Sequence, residues 1–208
     1  MIQAPSPNFG PRRGGLAPHL VVLHYTAMSS AEAALQRLCD PAFEVSSHYL
    51  IGADGRVWHL VDEGMRAWHA GAGSWKGWDD INSRSIGIEL DNDGQGPFAE
   101  PLMRSLERLL ADILARWSIP PQGVIGHSDM APGRKWDPGP LFDWSRFEAQ
   151  GLAARPRAAP GPDFRSTAYA AGYTAAAKDA DLLAAVRLRL RPQAAGPVAA
   201  DDMDALTA

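Results

Sequence analysis

Cysteine is nearly absent: Cys39 stands alone in 208 residues, so no disulfide within the chain can staple the fold. That pattern fits a reducing compartment, or an exported protein that does without bridges. No apolar run approaches the roughly 20 residues that a membrane-spanning helix needs. The N-terminal MIQAPSPNFGPRRGG has no basic stretch followed by an apolar one and no small-residue cleavage site. It therefore reads without a signal peptide, and the expectation is a cytoplasmic protein, or a periplasmic one where the N-terminus is processed. Positive charge is not in excess either. Lys and Arg number 20 against 24 Asp and Glu, a net charge of -4 with the signs interspersed. No basic field exists to hold a phosphate backbone, which argues against a nucleic-acid partner.

The length suits one core with a small appendage. His19 to Tyr25 (HLVVLHY) is apolar and β-branched between Pro18 and a polar stretch, and reads as a buried strand ending near His24. Ser29 followed by Glu32 fits a capping box for a helix that Asp40-Pro41 stops. Ser47 to Ile51 and Val57 to Val61 flank Asp54-Gly55, a strong hairpin signal. Met65 to Arg84 has no period and reads as a long loop. Ser85 to Leu90 reads as a strand, Pro101 to Trp117 as an amphipathic helix, and Val124 to Gly126 as a short strand leading into His127. Helices alternate with strands while the hairpin requires an antiparallel pair. The fold class is therefore α/β, a mixed β-sheet flanked by helices.

Near Gly151 the composition shifts to Ala, Arg, Pro and Gly, a linker-like stretch that runs to about Pro162. Ala180 to Leu190 then carries one helical pattern before a small and acidic tail. The chain divides into residues 1–150 and a linker with a short helical C-terminal extension over 151–208. Alone, that extension buries little, so it either packs on the first domain or stays partly disordered.

Of the six histidines, His24, His48 and His127 lie on or at the ends of expected strands, where solvated histidines are unusual. That placement suggests a metal. Ten residues after His127, Asp137 follows a loop broken by Pro132, Gly133, Pro138 and Gly139, which can fold back towards it. A hydrogen-bonded turn accounts for this pair as well as metal ligation does. Taken singly, Glu89 reads as a surface or salt-bridged residue pointing away from the face of Ile88 and Leu90, and Lys135 as a solvated lysine.

Five segments occur in order: LHYTA (23–27), SSHYLI (46–51), AWHAG (67–71), SIGIEL (85–90) and GHSDMAPGRKWDPGPLFDW (126–144). Together they resemble the zinc-dependent N-acetylmuramoyl-L-alanine amidase family, which takes in cell-wall recycling amidases, phage lysozyme-amidases and peptidoglycan recognition proteins. The resemblance covers about residues 19 to 150. It implies a zinc cofactor (Zn2+) held by His24, His127 and Asp137, three ligands with a fourth position open. It also implies Glu89 as catalytic acid and base and Lys135 as the cation that steadies the oxyanion. His48, Trp68, His69 and Asn92 are candidate substrate contacts; His48 and His69 could each instead support a ligand or pack as a hydrogen-bonded histidine, support being favoured for His48 and substrate contact for His69, and the loop tryptophans Trp68, Trp75 and Trp78 equally fit anchors for the loop.

The implied reaction cleaves the amide between N-acetylmuramic acid and L-alanine in peptidoglycan or muropeptides, anhydro-muropeptides included. By the same resemblance the tail is similar to the last part of a small peptidoglycan-binding module. Two rivals remain. One is a recognition module that binds peptidoglycan without cutting it, against which the full ligand and acid set speaks. The other is a zinc peptidase, for which the chain lacks a His-Glu-x-x-His helix.

Overall fold

A computed structural model describes all 208 residues. The strands are β1 (Ile2–Gln3), β2 (Phe9–Pro11), β3 (Leu20–Tyr25), β4 (Tyr49–Ile51), β5 (Val57–His59), β6 (Met65–Ala67), β7 (Ser85–Leu90) and β8 (Val124–Gly126). The α-helices are α1 (Ala31–Cys39), α2 (Ile81–Arg84), α3 (Glu100–Trp117), α4 (His127–Met130), α5 (Trp144–Ala149), α6 (Phe164–Ala171), α7 (Asp179–Leu190) and α8 (Ala200–Thr207).

Six strands form one sheet in the order β1-β5-β4-β7-β3-β8, in which only β4 and β5 run antiparallel, as the Asp54-Gly55 turn demands. β3 pairs in parallel with both β7 and β8, so it is central and apolar from Leu20 to Leu23. Alternation sorts the side chains. Val21 and Leu23 of β3 and Ile86, Ile88 and Leu90 of β7 pack beneath α3, which turns Leu102, Leu106, Leu110 and Ile113 onto them. Leu20 and Val22 point to the other face and join Ile125, Met130 and Trp75 under α6, α7 and α8. The C-terminal helices therefore complete the second cover of the sheet. Within that cover Asp202 of α8 is wholly buried and receives Arg187 at 2.6 Å and Arg191 at 2.6 Å.

Several details differ from the sequence reading. α1 begins one residue late: Ser30 is its N-cap and accepts from the Ala33 N–H at 3.2 Å, so Ser29 and Glu32 form no capping box. Met65 to Arg84 is not all loop, since β6 pairs with β2 and α2 follows. β2 contains Pro11 and has three residues, too few for any periodicity to register. Helices α6 and α8 were not anticipated. Both are short, eight residues each, and held by packing rather than by a pattern of their own. No helix is long and apolar enough to cross a membrane.

Leu106 is fully buried between α3 and the sheet. Leu106→Ala is expected to cost about 2–5 kcal/mol, read as a lower denaturant midpoint at unchanged slope.

Candidate metal centre

Three parallel neighbours, β7, β3 and β8, end at the same edge of the sheet, and polar side chains gather there as they do at the carboxyl edges of other open sheets. His24 and Glu89 are register partners across β3 and β7, so both stand on one face of the sheet. Gly126 pairs with Leu23, and His127 follows it as the first residue of α4. Gly126 also admits the returning loop, because a Cβ there would lie 2.8 Å from Pro138 Cδ. The Ser128 N–H donates to the Asp137 carbonyl at 2.9 Å and sets Asp137 beside His127.

The three side chains converge. His24 Nδ1 lies 2.9 Å from His127 Nδ1 and 2.9 Å from Asp137 Oδ2, and His127 Nδ1 lies 3.0 Å from Asp137 Oδ2. All three residues are buried. Burial, helped by the neighbouring His127, lowers the His24 pKa to about 4, so its ring is neutral.

The remaining ring nitrogens bear on the tautomers. His127 Nε2 lies 2.8 Å from the Ala70 carbonyl, which can only accept, so Nε2 carries the proton. His24 Nε2 lies 3.0 Å from His69 Nδ1. If His24, like His127, carries its proton on Nε2, two Nδ1 lone pairs and a carboxylate oxygen face one another at hydrogen-bond distance with no proton between them. Such a group repels itself unless a cation neutralises it, and two imidazoles with one carboxylate are a donor set that suits zinc. The residues fit a divalent metal.

Glu89 stands beside this group. Its Oε2 is buried with no hydrogen-bond partner, and burial, then the nearby charge of Asp137, raises its pKa well above the usual range while Lys135 opposes the shift. A cleft of about 360 Å³ opens over the cluster, walled by Glu89, Lys135, Trp68, Trp136, Arg37 and Met28 among others. A second cavity of about 390 Å³, near Trp75, Gln122 and Arg155, lies apart from these titratable groups.

The other candidates divide. Trp68 and His69 line the cleft. His48 is fully buried and does not: its Nδ1 accepts the Gly87 N–H at 2.9 Å and its Nε2 donates to the Met65 carbonyl at 3.2 Å, with the pKa lowered to about 3 by burial and by Arg12. Asn92 spends its amide in its own loop, donating to the Gly96 carbonyl at 3.1 Å and accepting from the Gly94 N–H at 2.7 Å. Trp75 is buried against Tyr173, and Trp78 packs edge-on to His19 outside the cleft. Among the cleft residues that sequence reasoning did not single out, Arg37 is brought in by α1 and Met28 by the segment before it, both outside every motif, whereas Trp136, 53% exposed between Lys135 and Asp137, was marked by its place in the KWDPG run.

With the mixed sheet and the metal-binding group in place, the class is defined: the chain belongs to the N-acetylmuramoyl-L-alanine amidase family Amidase_2, whose pattern matches residues 14–140. It is 42% identical over 155 residues to the N-acetylmuramoyl-L-alanine amidase AmiD of Escherichia coli, a match covering 67% of this chain and 55% of that relative. It therefore spans little more than half the length of AmiD. It is 34% identical over 162 residues to the 1,6-anhydro-N-acetylmuramyl-L-alanine amidase AmpD of Enterobacter cloacae, covering 70% of this chain and 87% of AmpD. Among solved structures, the complex of E. coli AmiD with anhydro-N-acetylmuramic acid-L-Ala-D-gamma-Glu-L-Lys superposes with a TM-score of 0.79 at 32% identity, covering 99% of this chain and 90% of that one. AmpDh3 of Pseudomonas aeruginosa gives 0.81 at 30% identity, covering 91% and 89%.

Asp137→Ala removes the only anionic donor of the group. It is expected to weaken divalent-metal binding, read with zinc as the probe, by more than roughly 100-fold, beyond the 10–100-fold typical of losing an outer partner. Competition with a chromogenic chelator measures this, and wild-type affinity would remove Asp137 from the ligand set.

Proposed function

We propose that the chain is a zinc-dependent N-acetylmuramoyl-L-alanine amidase that cleaves the bond between the muramyl lactyl group and L-alanine in muropeptides, including anhydro-muropeptides. The observation that carries this reading is the buried, unpartnered Glu89 carboxyl beside the convergent His24, His127 and Asp137 in one cleft. The family membership and the anhydro-muramyl peptide bound by AmiD supply the substrate class.

His24, His127 and Asp137 would hold the zinc, which when bound polarises a carbonyl and lowers the pKa of water at its open position. Glu89 takes the proton of the attacking water. Its low-dielectric surroundings favour keeping that proton until the alanine nitrogen departs and receives it. Lys135 lines the same cleft and its ammonium would steady the oxyanion of the tetrahedral intermediate. Trp68 and Trp136 offer indole faces to the sugar or peptide on either side of the scissile bond. The products are a muramyl sugar and a free stem peptide.

In this reading residues 1–150 form the catalytic domain, and 151–208 form a linker and helical extension, a remnant of a peptidoglycan-binding module that now serves to cover the sheet. A recognition module that only binds would have no use for a buried carboxyl without a partner, which favours hydrolysis over recognition.

Incubation of the zinc-loaded protein with a purified anhydro-muramyl tripeptide should release free tripeptide, detected by mass spectrometry. Glu89→Gln is expected to bind zinc normally and to lose at least about 100-fold in kcat, the lower bound of a general acid-base contribution. Tight substrate binding with no cleavage by the wild type would point instead to the recognition module.

A further inference from the structure

Of the groups around the metal-binding cluster, His69 has an assignment that the hydrolytic reading leaves open. It sits at the cleft wall, but both of its ring nitrogens are engaged. Nδ1 lies 3.0 Å from His24 Nε2, and Nε2 lies 3.3 Å from Ser85 Oγ. The Ser85 hydroxyl in turn donates to the Ile81 carbonyl at 2.6 Å, a group that only accepts. Directions along the chain follow from that terminus. Ser85 Oγ uses its hydrogen on Ile81 and is left to accept from His69 Nε2–H, so His69 Nδ1 has a lone pair and accepts His24 Nε2–H. The His24 ring is thereby left to present Nδ1 to the metal.

The backbone is shaped for this ring. Gly87 stands between Ser85 and Glu89 on the same face of β7, and a Cβ there would fall 2.4 Å from His69 Cγ. His48 clamps Gly87 from both sides, donating its own N–H to the Gly87 carbonyl at 3.0 Å and accepting the Gly87 N–H on Nδ1 at 2.9 Å. Asn82 then holds the segment that carries His69: its Oδ1 accepts the N–H of His69 at 3.1 Å and of Ala70 at 2.8 Å. The Ala70 carbonyl receives His127 Nε2–H, so one two-residue segment supports both ligand imidazoles.

We propose that His69 is a positioning residue for the metal rather than a substrate contact, acting through the chain His24–His69–Ser85–Ile81 to fix the tautomer and orientation of His24, with Gly87 providing its seat. This rests on the assignment of His24, His127 and Asp137 as the zinc ligands. Outer partners of this kind typically contribute 10–100-fold in metal affinity.

The test is zinc affinity, read by chelator competition on the full chain, with thermal unfolding of the zinc-free protein as the control for folding. His69→Ala should weaken zinc binding roughly 10–100-fold while the zinc-free protein unfolds cooperatively. Gly87→Ala, which pushes the ring out of its seat, should weaken binding similarly. In the His69→Ala background the added methyl meets no ring, so the double variant should bind zinc no worse than His69→Ala alone. Ser85→Ala keeps the ring and removes only the end of the chain, and should lower affinity in the same direction. It decides the matter if His69→Ala does not fold. Wild-type zinc affinity in these variants, with Asp137→Ala still losing the metal, overturns the role given to His69 and leaves the ligand set standing. Wild-type affinity in Asp137→Ala as well overturns the ligand set beneath both.

Discussion

Two imidazole lone pairs and a carboxylate oxygen meet within 3.0 Å in a buried site, and this self-repelling contact is the constraint around which the rest of the site is built. A folded chain tolerates such a meeting only if rigid elements impose it and a cation relieves it. Each donor comes from a different part of the fold. His24 ends the central strand, His127 opens the helix after the edge strand, and Asp137 sits on a loop that returns to it past Gly126. The parallel register of β3 with β7 and β8 brings their C-terminal ends level, which places Glu89 beside His24 without any loop having to reach it.

One face of β7 concentrates much of this arrangement. Ser85, Gly87 and Glu89 alternate along it: a hydroxyl that ends the chain from His24, a gap that seats His69, and the carboxyl that serves as acid and base in the proposed reaction. The opposite face of the same strand, Ile86, Ile88 and Leu90, is plain core. A shift of one residue in register would exchange the two sets, burying the acid beneath α3 and exposing the isoleucines. The packing of α3 therefore protects the chemistry as well as the fold.

The C-terminal helices have a comparable double effect. They cover the second face of the sheet, and they also bear on the segments that carry His69 and His127. Tyr173 donates to Asp129 in α4, just after His127, at 3.1 Å, and the Lys76 N–H donates to the Gly172 carbonyl at 2.9 Å, tying down the loop that follows Ala70. What composition presents as a loose appendage is thus part of the scaffold of the site.

The sequence by itself determined the mixed α/β class, the central strand, the long amphipathic helix and the hairpin, because each rests on a local period or turn chemistry that survives without tertiary contacts. Its motifs also singled out His24, Glu89, His127, Lys135 and Asp137, which the folded chain brings to one cleft. Only the tertiary structure decided the surroundings. That His48 is enclosed in the core while His69 reaches His24, that Asn92 is consumed by its own loop, and that Arg37 and Trp136 wall the cleft depends on contacts between residues far apart in the chain. The same holds for α6 and α8, whose short segments are helical because the sheet face they cover offers apolar surface to bury. A histidine has the same letter whether it binds a metal, supports a ligand or fills a core, and only its neighbours in space distinguish these roles.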